Sequence, residues 1–170
     1  MSLEMLYSAA FIAAAANGHI EILQEILQHT TKDNRRKAFS SAAIGGHINV
    51  LRYLEENISQ EELQELQRRI KATSFTLESY DCREFKDAAS NGHLHVLKYL
   101  EEKISQKELQ NMIRSNAYEA FELAALNCHI HVLQYLKEKL SPEDLQRMMQ
   151  PNGMYQQYPL YTAYTNAAIN

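Results

Sequence analysis

The dipeptide Gly-His occurs at Gly18-His19, Gly46-His47 and Gly92-His93, and a fourth, altered copy reads Cys128-His129. From one histidine to the next the chain advances 28 (19 to 47), 46 (47 to 93) and 36 (93 to 129) residues. Periods of this size mark a repeat array, in which each unit buries its apolar face only against its neighbours. The chain should therefore be a stack of about four supersecondary units.

Each copy has the same lead-in. A small pair, Ala14-Ala15, Ala42-Ala43, Ala88-Ala89 or Ala124-Ala125, stands before the turn, and Phe11, Phe39, Phe85 or Phe121 lies three residues upstream of that pair. The Phe and the second Ala are four apart and share one helix face, where a large and a small side chain let a neighbouring helix approach closely. Asp81-x-x-Glu84 and Asn116-x-x-Glu119 look like helix N-caps with a reciprocal acid. Gly18, Gly46 and Gly92 then end the helix, because glycine tolerates the left-handed conformation of a tight stop. Cys128 in that place should cost roughly 1 kcal/mol, or else the last turn differs in shape.

A second helix follows each turn, with the repeated pattern Ile48-x-Val50-Leu51-x-Tyr53-Leu54, Leu94-x-Val96-Leu97-x-Tyr99-Leu100 and Ile130-x-Val132-Leu133-x-Tyr135-Leu136. The first copy reads Ile20-x-Ile22-Leu23-x-x-Ile26-Leu27. These stripes are wide enough for a helix held between two neighbours. Tyr53, Tyr99 and Tyr135 recur at one repeat position and read as structural; Glu55-Glu56 and Glu101-Glu102 read as solvated charge at the helix ends. A third element begins at the capping boxes Ser59-x-x-Glu62 and Ser105-x-x-Glu108, and at Ser141-Pro142-Glu143-Asp144. The first unit lacks it, and Thr31–Lys37 is expected to be a short polar link. Ala72–Tyr80 is expected to be a loop or helix extension. Tyr158–Ala163 resembles the start of another first helix, so the tail is expected to be a half-unit covering the last face.

The Ala-Ala-x-x-Gly-His-[Ile/Leu]-x-Val-Leu-x-x-Leu run resembles the ankyrin repeat, and the likeness recurs over residues 6–30, 38–58, 84–104 and 120–140. The family's Thr-Pro-Leu-His is absent from the four main units and survives in part as Tyr158-Pro-Leu-Tyr161. The resemblance implies an all-α, ankyrin-like α-solenoid. Its repeats would span about 3–33, 34–80, 81–115 and 116–150, with a partial repeat or cap at 151–170. The Ser-x-Glu-Glu-Leu-Gln helix would replace the family's β-hairpin finger. It implies a non-enzymatic scaffold that binds another protein, monomeric and without cofactor. The nearest positions to the family's binding surface are Lys37, Ser40, Arg83, Lys86, Glu119 and Glu122. Divergent arrays of this type resemble ankyrin proteins of intracellular bacteria, secreted effectors among them. That likeness extends the expectation from an intracellular protein to one translocated into a host cell to act on host proteins.

Charge and motif content narrow the rest. The formal charge of −4 is mixed along the chain, whereas a nucleic-acid binder needs clustered Lys and Arg. A helical-repeat binder of single-stranded nucleic acid is thus the runner-up. Cys82 and Cys128 are far apart and read as free thiols of a reducing compartment. No apolar run is long enough to span a membrane, and the start lacks the basic region and apolar core of a secretory signal. His47, His93 and His129 lie one repeat apart, too far for one ion, and are expected to bond to backbone at their turns. Cys128 has no adjacent base, and phosphate loops, HExxH and GxSxG are missing, so no catalytic residue, cofactor or metal is expected. Tyr155, Tyr158, Tyr161 and Tyr164 form a three-spaced series suited to covering the end of a core or to binding. Lys32, Arg35, Arg36 and Lys37 read as a solvated basic turn, with an acidic-partner site as the alternative.

Overall fold

The computed structural model describes residues 2–71 and 83–148, and the described residues are helical apart from turns. The first unit is α1 (Leu3–Ala16) and α2 (Ile20–Ile26), followed by a 3-10 turn at Leu27–His29. The second is α3 (Lys32–Gly45), α4 (Ile48–Asn57) and α5 (Gln60–Lys71). The third opens with α6 (Arg83–Ser90) and α7 (Leu94–Glu101), and α8 (Gln106–Leu126) continues into the fourth, which is completed by α9 (Ile130–Lys139) and α10 (Pro142–Met148). First helices α1, α3, α6 and α8 pack side by side in one row, and second helices α2, α4, α7 and α9 in another. The core lies between the rows. Phe11 and Phe85 are completely buried, Phe39 and Phe121 nearly so, and each sits beside its buried Ala pair. Burying such a ring contributes roughly 1.5–3 kcal/mol. Among the described residues no helix is long and apolar enough to cross a membrane.

All four first helices end alike. The amide of the turn histidine reaches back to the first alanine of the pair: His19 to Ala14 at 2.9 Å, and His47, His93 and His129 to Ala42, Ala88 and Ala124 at 2.8 Å. The residue before it bonds to the second alanine, which completes a Schellman stop. That residue must be left-handed: φ is 77° at Gly18, 78° at Gly46 and 76° at Gly92. Cys128 adopts the same conformation at φ 59°, as its place in the motif predicts.

Glycine is required for a second reason, which spans units. The histidine ring of each unit lies on the glycine of the unit before. A Cβ at Gly18 would stand 2.6 Å from His47 Nδ1, at Gly46 2.7 Å from His93 Nδ1, and at Gly92 2.6 Å from His129 Nδ1. The other ring nitrogen bonds to the carbonyl two residues ahead of that glycine. His47 Nε2 donates to Ala16 at 3.0 Å and His129 Nε2 to Ser90 at 2.9 Å, and His93 faces the Ile44 backbone at the corresponding place. Cys128, in the fourth turn, is exposed.

The third elements are helical as expected. Ser59 and Glu62 close a reciprocal cap, with Ser59 N to Glu62 Oε2 at 3.1 Å and Glu62 N to Ser59 Oγ at 3.2 Å. Ser105 and Glu108 do the same. Two expectations are corrected. Thr31–Lys37 is not a link but the start of α3, because the Thr31 hydroxyl accepts the Asn34 amide at 3.2 Å and so caps the helix. A cap at Asn116 is not found, since α8 runs through that position. The backbone departs from helical geometry at Tyr118 instead, where φ is 68°. The cap expected at Asp81, the Ala72–Tyr80 insertion and the tail with Tyr155, Tyr158, Tyr161 and Tyr164 lie outside the described residues.

Two substitutions separate the backbone role of the glycine from its contact role. Gly46→Ala meets both the left-handed φ and the His93 ring, and should lower unfolding free energy by about 2–4 kcal/mol in urea titrations. Cys128→Gly removes only the backbone strain, and should raise it by about 1 kcal/mol.

Candidate interaction surface

The sequence-predicted face lies on the row of first helices. Two repeat positions carry it. The residue two before the Phe is Ala9, Lys37, Arg83 and Glu119 in successive units, and the residue one after it is Ile12, Ser40, Lys86 and Glu122. These positions are three apart and share one helix face. Around them the Phe, the Ala pair and the turn histidine do not change.

The structure joins several of these side chains across units. The Ser40 hydroxyl donates to Glu84 on the next first helix, and Lys86 Nζ meets Glu119 Oε2 at 3.3 Å. Lys37 stays within α3, 2.7 Å from Asp33, which also takes Arg36. Lys37 and then Arg36 hold the Asp33 carboxyl down at about 2. Arg83 is exposed and Glu122 half-buried. The face therefore holds one interhelical ion pair and one hydroxyl–carboxylate bond, beside side chains that stay on their own helix.

A stricter ladder ties the second helices, and it overturns the reading of Glu55 and Glu101 as solvated charge. Lys103 Nζ lies 2.9 Å from Glu55 and 4.9 Å from the centre of the Tyr99 ring. One unit on, Lys139 Nζ lies 2.5 Å from Glu101 and 5.3 Å from the Tyr135 ring, and the Tyr135 hydroxyl donates to Glu101 at 2.8 Å. The Tyr99 hydroxyl is buried near Glu55 and closes no such bond. Partial burial works to raise the Glu101 carboxyl, but Lys139 and Tyr135 outweigh it and the net shift is downward. Burial, then the adjacent carboxylate, pushes both tyrosines well above the usual phenol range. The signal was present in the sequence. The acid follows the repeated tyrosine by two residues, and the lysine follows it by four. The ladder stops where a partner is missing: the first unit has Leu27 in the acid position, and Asn57 then stands where the lysine would be.

The capping acids do a further job. In α10, Asp144 is almost completely buried and holds Arg114 of α8, with Arg114 Nε at 2.9 Å and Nη2 at 2.6 Å. It also accepts the Tyr118 and Ser141 hydroxyls, each at 2.8 Å. Arg114 first, and then these hydroxyls, keep its carboxyl far below the usual range despite burial. Glu62 of α5 holds Arg35 of α3 in the same manner, at 2.8 Å. Burial works to raise Glu62, and the Arg35 and Ser59 bonds prevail to lower it. Beside this pair α3 and α5 flank a groove of about 630 Å³. Its cations are matched: Lys32 with Glu61 at 3.1 Å, Arg35 with Glu62, Arg36 with Asp33 and Arg68 with Glu65. The basic cluster read at Lys32, Arg35, Arg36 and Lys37 is thus a set of ion pairs on a helix, not a solvated turn.

The histidines do not converge. His47, His93 and His129 each serve a different junction, His95 lies beside His93, and among the described residues no three His, Cys, Asp or Glu side chains are grouped as metal ligands would be. Cys128 is exposed. No family model, curated protein or solved structure matches the chain.

Glu101→Lys should cost about 2 kcal/mol, because it places like charges at a three-quarters-buried contact and orphans the Tyr135 hydroxyl. Adding Lys139→Glu should restore about half of that loss. A double-mutant cycle read by chemical denaturation measures the coupling.

Proposed function

We propose that this chain is a non-enzymatic scaffold that binds another protein through the exposed side of its first-helix row, built as a divergent ankyrin-like stack. One observation carries the reading. The Phe, the Ala pair and the turn histidine are constant, whereas two surface positions on the same helix face change chemistry from unit to unit. They run from apolar Ala9 and Ile12, through Lys37, Ser40, Arg83 and Lys86, to acidic Glu119 and Glu122. A stack that only had to fold would need no such gradient, and a row of differing side chains on a constant frame is what selective recognition uses. The ankyrin-like assignment, and with it an effector role toward host proteins, is supported by the repeated Ala-Ala-x-x-Gly-His run.

The test is affinity capture with the whole chain, compared with an Arg83→Glu, Glu122→Lys variant. A partner bound saturably by the native chain should lose about tenfold in affinity to the variant, with the thermal midpoint little changed. A partner indifferent to both substitutions would place recognition elsewhere. Salt-dependent binding of single-stranded RNA in its stead would favour the nucleic-acid reading.

A further inference from the structure

Three histidine rings join the four units, and their two nitrogens are treated differently. Nε2 of His47 and of His129 donates to a carbonyl of the preceding unit, and His93 faces the Ile44 backbone at the corresponding place. Nδ1 of each ring faces the bare glycine Cα, so close that a Cβ there would lie 2.6 to 2.7 Å away. A neutral ring satisfies this geometry, with one N–H donating and the bare nitrogen against carbon. An imidazolium carries a second N–H, and at Nδ1 it would be turned toward that carbon rather than toward a bonded protein acceptor.

The second junction adds a fourth ring. His95 Nε2 donates to the Gly46 carbonyl at 2.6 Å, and its ring centre is 5.9 Å from that of His93. Both rings clasp the one turn, and when protonated they are like charges at that separation. We propose that the histidine ladder is an acid-sensitive latch, in which protonating the rings opens the stack, first at the Gly46 turn held by His93 and His95.

Among the described residues, the charges that act most on His93 are other histidines rather than a carboxylate. The charged groups acting on His93 are His95 on its own helix, His47 on the preceding turn and His129 on the following one. Glu55 on α4 is committed to Lys103 beyond the far end of α7, and Lys86 on α6 to Glu119. Burial lowers the His93 imidazole from its usual value of 6.5, the Ile44 backbone opposes this, and the other three histidines add to the lowering. The folded chain therefore binds fewer protons here than the unfolded chain. The stabilisation is complete above about pH 6.5 and is lost as pH falls toward the ring's lower folded value. Glu62, Glu101 and Asp144 lie below the usual carboxylate range and stay ionised in that window.

The experiment uses the whole chain. Ring proton shifts are followed by NMR against pH, folded and in urea, and thermal midpoints are compared at pH 7.5 and 5.5. His93 should titrate at lower pH folded than in urea. The native midpoint should fall by about 4 °C or more across the interval, and by less than half as much in a His93→Gln, His95→Gln variant. An equal fall in the variant overturns the latch, as does a His93 ring that titrates folded at or above its value in urea. Should the variant fail to fold, the ring titration of the native chain decides alone.

Discussion

The stack depends on one contact, a histidine ring laid on a glycine of the preceding unit. It explains why glycine and histidine travel together in the sequence. Within a unit the glycine ends a helix, and the histidine amide closes the Schellman stop behind it. Between units the same glycine leaves room for the next ring, whose Nε2 takes up a carbonyl that the helix end would otherwise leave to water. Local helix termination and long-range stacking thus share the same atoms. The Phe and Ala positions follow from this spacing, since the pair is small where the first helices of adjacent units meet.

Around this junction the polar side chains form ladders. Glu55 and Glu101 each take the lysine of the next unit, which also lies over a buried tyrosine. Such pairs contribute little where water competes, and more where a ring and a neighbouring helix exclude it. They also set register, because a unit rotated on its neighbour would leave a half-buried carboxylate without its cation. Glu62 and Asp144 extend the principle to the third helices. Each closes its own N-cap and holds an arginine of the first-helix row. Placing the third helix over the first helix therefore costs no additional charged side chain.

The legible parts were those with a local signature. The Gly-His spacing, the Phe and Ala positions, the left-handed Cys128 and the serine caps all follow from helix geometry over a few residues. The misreadings arose where two local signals competed. Thr31–Lys37 is polar and lies at a unit boundary, so it read as a link, yet the Thr31 cap and Asp33 in the first turn are helix-start chemistry. At Asn116 a good cap sequence lost to continuity of α8, and the deviation fell at Tyr118, whose hydroxyl is held by Asp144. The candidate binding positions follow from the resemblance of the repeated run, whereas the bonds that Ser40 and Lys86 make across units do not.

Periodicity alone sufficed for the all-helical class and for the Phe, Ala and Leu residues of the core, since each is a property of short segments repeated along the chain. Which acids are solvated and which are clamped was decided only by folding. Glu55 and its neighbour Glu56 are the same residue type on the same helix, and Glu55 alone faces Lys103 of the next unit. The two roles of each histidine nitrogen were likewise settled by stacking, because they depend on a backbone carbonyl and a glycine tens of residues away in the chain. Side-chain identity is written locally; its partner is chosen across the junction, where distance and burial determine which charges meet.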